Sequence, residues 1–284
     1  MARVALRGRA LDVYYEEAGE GTPVVLVGGF TSTAATWRFQ VPGLAERHRV
    51  LVPENRGSGR TRVVGDDDGS RSVWGWATDL LAFLDALQLD RVHVAGCSMG
   101  GRIVLAFACR WPDRLLSLSL ACASPGDEHA VAGDPEIAAA VAVGSRPDAT
   151  PEQQQAAVAA VFHPDTPARR PDAVRAFLEL RAVEAHTAEE LAQRTTAMTT
   201  PFSVWDELGV LAVPTLVITG EADQLLPPEN SRHLAARIPG ARLVLVPGGG
   251  HVFFVEQPDA TNRELLAHFA AAELGPGPTE SRPR

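Results

Sequence analysis

The sequence predicts an α/β fold, a mostly parallel central sheet with helices on both faces, plus an inserted helical cap. Three observations carry this. Short, fully apolar runs such as Val24-Val25-Leu26-Val27 have the composition of strands covered on both faces, and they alternate with stretches whose apolar residues recur at helical spacing. Between Gly126 and Pro201 the strand signals disappear, and Ala, Glu, Gln, Arg and Pro dominate. In Val92-His93-Val94-Ala95-Gly96-Cys97-Ser98-Met99-Gly100-Gly101 a buried strand runs straight into a helix, with one serine at the bend.

Taken in order, residues 3–6 and 10–15 read as two strands joined at Arg7-Gly8-Arg9. Leu11, Val13 and Tyr15 alternate toward one face, so the pair is expected as an antiparallel edge. A turn over residues 19–23 leads into the apolar run at 24–27. Trp37, Val41 and Leu44 follow at helical spacing, and residues 50–53 restart the strand pattern. The polar, Gly-rich stretch 54–61 and the acidic turn Asp66-Asp67-Asp68 both read as surface. Over residues 73–87, Val73, Ala77, Leu80, Leu81, Leu84 and Leu87 form one helical stripe that faces the sheet. Beyond the serine bend, apolar residues at 102–108 carry a helix that stops before Trp111-Pro112, and residues 115–122 form a further strand.

The cap is expected as helices at 137–143, 151–162, 173–183 and 188–197, with starts at Asp134-Pro135, Thr150-Pro151 and Pro171-Asp172. Strand chemistry returns at 213–219. A helix at 228–238, a strand at 242–246, the loop Pro247-Gly248-Gly249-Gly250-His251 and a last helix entered at Pro258-Asp259 complete the chain. The division is a core of residues 1–125 and 206–274, a helical cap of 126–205, and a disordered tail of 275–284.

In the pattern Gly-x-Ser-x-Gly the serine occupies a sharp, strained turn, and its neighbours must be nearly bare so that strand and helix can pack past it. Gly96 and Gly100 meet that need. The plain alternative is a Gly-rich turn that happens to hold a serine. A serine hydroxyl is a weak nucleophile unless an imidazole takes its proton, and the imidazole must be held by a carboxylate. In a parallel sheet such residues collect at the carboxyl ends of strands. Ser98, Asp223 and His251 each follow one, and the three glycines before His251 let its loop fold back toward the serine. Glu221 and Asp127 are competing carboxylates. His93 lies in a strand, His48 in a polar loop, His129, His163 and His186 in or near the cap, and His233 and His268 on helices; all read as surface or satisfied core.

A tetrahedral intermediate needs backbone N–H donors aimed at its oxyanion. Met99 offers one at a helix N-terminus, and Phe30, after Gly28-Gly29, is the expected second; alternatively Gly28-Gly29 is only a tight turn and Phe30 a pocket wall. Gly29 and Trp205 are the candidate substrate contacts, and Phe162, Phe177 and Phe202 are further wall residues or cap core.

Composition narrows the chemistry. A formal charge of −9 argues against nucleic acid and against an anionic membrane surface, which leaves a small molecule as the expected partner and a homodimer as the candidate assembly. All 26 basic residues are arginine, so Schiff-base lysine and Walker-type phosphate lysine chemistry are excluded. Cys97, Cys109 and Cys122 sit in apolar surroundings without ligand spacing and read as buried free thiols, so neither metal nor other cofactor is expected. No long apolar stretch follows the N-terminal arginines, and a soluble, cytoplasmic protein is expected.

Together these residues resemble the α/β-hydrolase superfamily, in particular its capped, cofactor-free esterases, lactonases and perhydrolase-like members. Gly96-Cys97-Ser98-Met99-Gly100-Gly101 is similar to the family's nucleophile elbow, and the chain order Ser, Asp, His is the family's. Glu54-Asn55-Arg56-Gly57-Ser58-Gly59-Arg60-Thr61 resembles its Asp-x-Arg-Gly-x-Gly-x-Ser loop, and Gly220-Glu221-Ala222-Asp223 and Gly250-His251 its acid and histidine motifs. Two departures stand out. Glu54 and Thr61 replace Asp and Ser, and Gly28-Gly29 replaces the usual His-Gly, so the histidine that braces the oxyanion loop is missing. The resemblance implies a serine hydrolase of small carboxylic esters or lactones acting through an acyl-enzyme. A carbon–carbon bond hydrolase or perhydrolase with the same triad is the alternative, and a non-hydrolytic ligand-binding protein on the same scaffold is another.

Overall fold

The computed structural model describes residues 1–65, 71–183 and 186–275; the acidic turn expected at 66–68 and the expected tail beyond Gly275 lie outside them. The first hairpin pairs β1 (Ala2–Leu6) with β2 (Leu11–Ala18), Leu6 opposite Leu11. There follow β3 (Thr22–Val27), α1 (Val41–Ala45), β4 (His48–Pro53), the short β5 (Arg62–Val63), α2 (Val73–Ala86), β6 (Val92–Cys97), α3 (Met99–Arg110) and β7 (Leu115–Ala121). Six helices separate β7 from the next strand: α4 (Pro135–Gly144), α5 (Pro151–Val161), α6 (Thr166–Arg169), α7 (Pro171–Val183), α8 (Ala188–Thr199) and α9 (Trp205–Leu208). The chain ends with β8 (Thr215–Gly220), α10 (Pro228–Arg237), β9 (Arg242–Val246), α11 (Phe253–Glu256) and α12 (Pro258–Glu273).

The strands lie in the order β1-β2-β4-β3-β6-β7-β8-β9, with β5 paired to β2. β2 runs antiparallel to both neighbours, and every pairing from β4 across to β9 is parallel. Alternate residues of β3 divide between two cores. Val25 and Val27 join Phe83 of α2 and Phe107 of α3 on one face, while Val24 and Leu26 join Trp37, Phe253 and Phe269 on the other. This is why the run Val24-Val25-Leu26-Val27 of β3 is continuously apolar rather than alternating.

Local capping sets the helix starts. Ser72 accepts the Gly75 N–H to begin α2, Asp134 caps α4, and Thr150 with Gln153 and Thr187 with Glu190 form capping boxes at α5 and α8. α6, α9 and α11 are four residues each, too short to leave a periodic signal.

Two sequence expectations are corrected. The loop 54–61 is not surface, because Glu54, Arg56, Ser58 and Thr61 are all buried. Its charges are neutralised in place: Arg56 makes a two-pronged contact with Asp79 at 2.9 Å on each arm, and Glu54 accepts the Arg60 guanidinium at 2.7 Å. His48 lies in β4 rather than in a polar loop, buried edge-on against Phe269. Among the described residues no helix is long and apolar enough to cross a membrane.

Candidate active site

Ser98 stands between β6 and α3 with φ +55° and ψ −119°, a strained conformation for a residue with a side chain. Close packing imposes it. A Cβ on Gly96 would come 2.3 Å from the Gly100 carbonyl oxygen, and one on Gly100 would come 2.3 Å from that of Val27. Strand, turn and helix therefore approach to backbone contact on both sides of the serine, which is left half-buried at the mouth of the turn. Its N–H donates to the Ala121 carbonyl at 2.9 Å and anchors the bend to β7.

Asp223 follows β8 and His251 follows β9, adjacent parallel strands whose carboxyl ends bring them together. His251 Nδ1 lies 2.8 Å from Asp223 Oδ2, with the two residues 7% and 2% exposed. Asp223 Oδ1 accepts the N–H groups of Leu225 at 3.0 Å and Leu226 at 2.9 Å, so the carboxylate is fixed in the turn after β8. A carboxylate can only accept, so Nδ1 carries the imidazole proton and Nε2 keeps a free lone pair. The competing acids are placed elsewhere: Asp127 pairs with Arg102 and accepts the Phe202 N–H, and Glu221 is exposed.

Cys122 Sγ, the Asp223 carboxylate and the His251 imidazole all lie within 4.8 Å of one another. They do not fit a metal ion. Burial pushes the Cys122 thiol well above its ordinary range, with Cys97 and Asp223 adding to the effect, and the other two donors are already bonded to each other.

Ser98 and His251 border one cavity of about 350 Å³, together with Gly29 and Phe30. Helices α4, α5 and α7 line it with Val141, Val158, Val161 and Phe177, and the polar Ser145, Arg146 and Gln154 line it from the same segments. Met99, buried at the first position of α3, presents its backbone N–H at the helix N-terminus beside Ser98. Gly29 is close enough to the nucleophile that a Cβ there would lie 3.3 Å from Ser98 Cβ.

Trp205 is a correction. It opens α9 outside this cavity, stacks on His129 with ring centroids 4.1 Å apart, and borders a separate hollow with His129 and His233. The return from cap to core packs against α10 on the outer surface, with the Arg237 guanidinium 5.7 Å from the Trp205 ring. Phe202 packs on Trp74, and Phe162 supports Phe177 edge-on from behind; of the four aromatic candidates only Phe177 borders the cavity.

Three residues to which the sequence assigns no role at the site hold the loop that carries Phe30. Asn55 Nδ2 donates to the Gly28 carbonyl at 3.1 Å. Arg194, fully buried on α8, donates Nη1 to the Phe30 carbonyl at 2.5 Å and Nε to that of Gly57 at 2.7 Å. Its Nη2 meets His186 Nδ1 at 3.1 Å, and His186 Nε2 lies 2.7 Å from the Thr31 carbonyl. Since arginine only donates, Nδ1 of His186 accepts, and Nε2–H donates to Thr31. A signal for Arg194 did exist: it falls on the inward stripe Leu191, Arg194, Ala197, where an apolar residue belongs.

Comparison with known proteins agrees with this architecture. Residues 22–258 match the family model described as the alpha/beta hydrolase fold. A protein of Azorhizobium caulinodans named "Putative carbamate hydrolase RutD" is 31% identical over 259 residues, covering 91% of this chain and 95% of its own. The solved structure of a thermophilic esterase from Thermogutta terrifontis superposes with a TM-score of 0.80 at 25% identity, covering 95% of this chain and 98% of its own. That of the enol-lactonase from Burkholderia xenovorans LB400 gives 0.79 at 26% identity, covering 95% and 100%. With its parallel sheet, its serine elbow and a family match spanning most of its length, the chain belongs to the alpha/beta hydrolase family.

Proposed function

We propose that this protein is a serine hydrolase that cleaves a small carboxylic ester or lactone through an acyl-enzyme. The observation that carries the reading is the His251–Asp223 hydrogen bond, which leaves Nε2 as the base in the cavity that Ser98 also borders. In this mechanism Nε2 takes the Ser98 hydroxyl proton as the oxygen attacks the carbonyl carbon. Asp223 holds the ring and stabilises the imidazolium, and the N–H groups of Phe30 and Met99 receive the oxyanion. The imidazolium then gives its proton to the leaving alkoxide. Water repeats the sequence on the acyl-serine and frees the acid.

The cavity, about 350 Å³, lies at the small end of the roughly 300–1,000 Å³ range of ligand pockets, and its mostly apolar wall, with Arg146 and Gln154 as polar groups on the helical side, suits a short aliphatic or compact cyclic acyl group. A carbamate carbonyl undergoes the same attack. The relative from Azorhizobium caulinodans favours it as the second reading, since it matches this chain over 91% of its length.

The test is mass spectrometry after exposure to a fluorophosphonate, beside hydrolysis of p-nitrophenyl esters, lactones and alkyl carbamates, for the wild type and Ser98→Ala. Label on Ser98 and a fall in activity of about 10⁴-fold or more in the variant are expected. An unlabelled Ser98 in a folded protein inert to the whole panel would overturn the reading.

A further inference from the structure

The histidine that usually braces the oxyanion loop of this family is replaced here by glycine, yet the loop is held at four consecutive carbonyls. Two of the bonds come from the core: Asn55 to Gly28, and the Ser32 N–H to Gly29 at 3.3 Å. The other two come from cap residues, Arg194 to Phe30 and His186 to Thr31. A peptide unit is planar, so fixing a carbonyl also fixes the N–H on its far side. The Gly29 carbonyl sets the Phe30 N–H, and the Phe30 carbonyl sets the Thr31 N–H. The two bonds from the cap therefore close off rotation about Phe30 from its C-terminal side.

The geometry points to Arg194 as the positioning residue of the oxyanion loop, seated through His186, so that the cap orients catalytic groups as well as covering the cavity. This rests on the serine hydrolase reading for its effect on rate, while the restraint itself stands on the hydrogen bonds alone. Four features support it. Arg194 is 0% exposed, so its charge is unscreened by water, and its donors reach two backbone carbonyls and the His186 ring. It spans two loops at once, since Nε and Nη2 both reach the Gly57 carbonyl in the loop after β4, while Nη1 reaches Phe30. Its fork is rigid, which fixes the separation of the two loops. His186 can join both partners in only one tautomer, so the pair has a single arrangement.

The experiment compares Arg194→Met, Arg194→Lys and His186→Gln with the wild type in two arms. Hydrogen exchange followed by mass spectrometry reads the loop directly: amides over residues 28–34 should exchange at least tenfold faster in Arg194→Met, with β6 and β7 unchanged, whether or not Ser98 reacts. In the second arm, kcat on the best p-nitrophenyl ester should fall about 10²-fold with KM within about threefold, since a loosened oxyanion donor weakens the transition state and not substrate binding. Lysine, which keeps the charge without the fork, should fall between the two, and His186→Gln should show the same kcat loss in a milder form. Unchanged exchange over 28–34 overturns the proposal. So does a loss of activity expressed wholly in KM. If Arg194→Met does not fold, the lysine and His186 variants decide by the same two readings. A wild type that leaves Ser98 unlabelled would sink the hydrolase reading alone, and the exchange arm would still judge the clamp.

Discussion

Glu256 Oε2 accepts the backbone N–H of Gly250 at 2.5 Å, one residue before His251. Its other oxygen accepts the His163 N–H at 2.8 Å, in the connection from α5 to α6, and the hydroxyl of Thr166, the first residue of α6, at 2.5 Å. The histidine loop is thus joined to the α5–α6 segment by one buried carboxylate, much as the Phe30 loop is joined to α8 by one buried guanidinium. Glu256→Gln should be costly, because the amide's N–H₂ must face a donor on one side. An unsatisfied buried donor of this kind costs about 1–3 kcal/mol. Urea unfolding should show that loss, and kcat should fall with it while KM changes little. Unaltered stability would mean that the loop is held by the Val252 N–H to Val161 carbonyl bond instead.

Asp223→Asn separates orientation from shape. The asparagine oxygen can still accept from Leu225 and Leu226, so the turn after β8 should survive and the unfolding midpoint should barely move. Its amide N–H₂, however, would face Nδ1 of His251 and drive the proton to Nε2, removing the base. If Asp223 orients His251 as proposed, a fall in kcat of about 10⁴-fold is expected, the loss known for this change in serine triads. Ester hydrolysis within tenfold of wild type would show that a different carboxylate serves His251.

The strands and the elbow were legible because their signals are local. The six consecutive buried residues of β6 are mostly apolar or small, with His93 the exception, and a serine flanked by two glycines at such a junction has few other uses. Asp223 and His251 were legible from their place after strands. The roles of Arg194, His186 and Glu256 were not, because a buried polar side chain is explained only by partners far away in the chain: Arg194 reaches back 164 residues to Phe30 and Glu256 reaches back 93 to His163. The buried loop at 54–61 was misread for the same reason, its polar composition hiding the ion pairs that allow it inside. Trp205 was misplaced because α9, four residues long, leaves no periodic signal, and its partner His129 lies far back in the chain.

His93 and His268 should govern acid sensitivity. His93 is fully buried in β6, its Nδ1 2.8 Å from the Ser117 hydroxyl and its Nε2 3.3 Å from Glu273, with His48 and Arg91 also near. His268 lies buried on α12 with Nε2 3.1 Å from the Leu118 carbonyl and Arg242 near. Burial pushes each imidazole down to about 4 from 6.5, the nearby positive charges adding to the effect and the hydrogen bonds opposing it. The unfolded chain therefore binds more protons than the folded one between about pH 6.5 and pH 4, so stability rises with pH across that window and is lost as pH falls through it. The displacement is worth about 3 kcal/mol per histidine once complete, and about 2 kcal/mol of it should already be gone at pH 5. Urea unfolding at pH 7.5 and pH 5 should show that steep loss in the wild type. In His268→Gln, whose amide can still donate to Leu118 but does not titrate, the loss should be smaller by about 2 kcal/mol. An equal loss in both proteins would mean that His268 does not resist protonation in the folded state, and that His93 and the carboxylates set the acid limit without it.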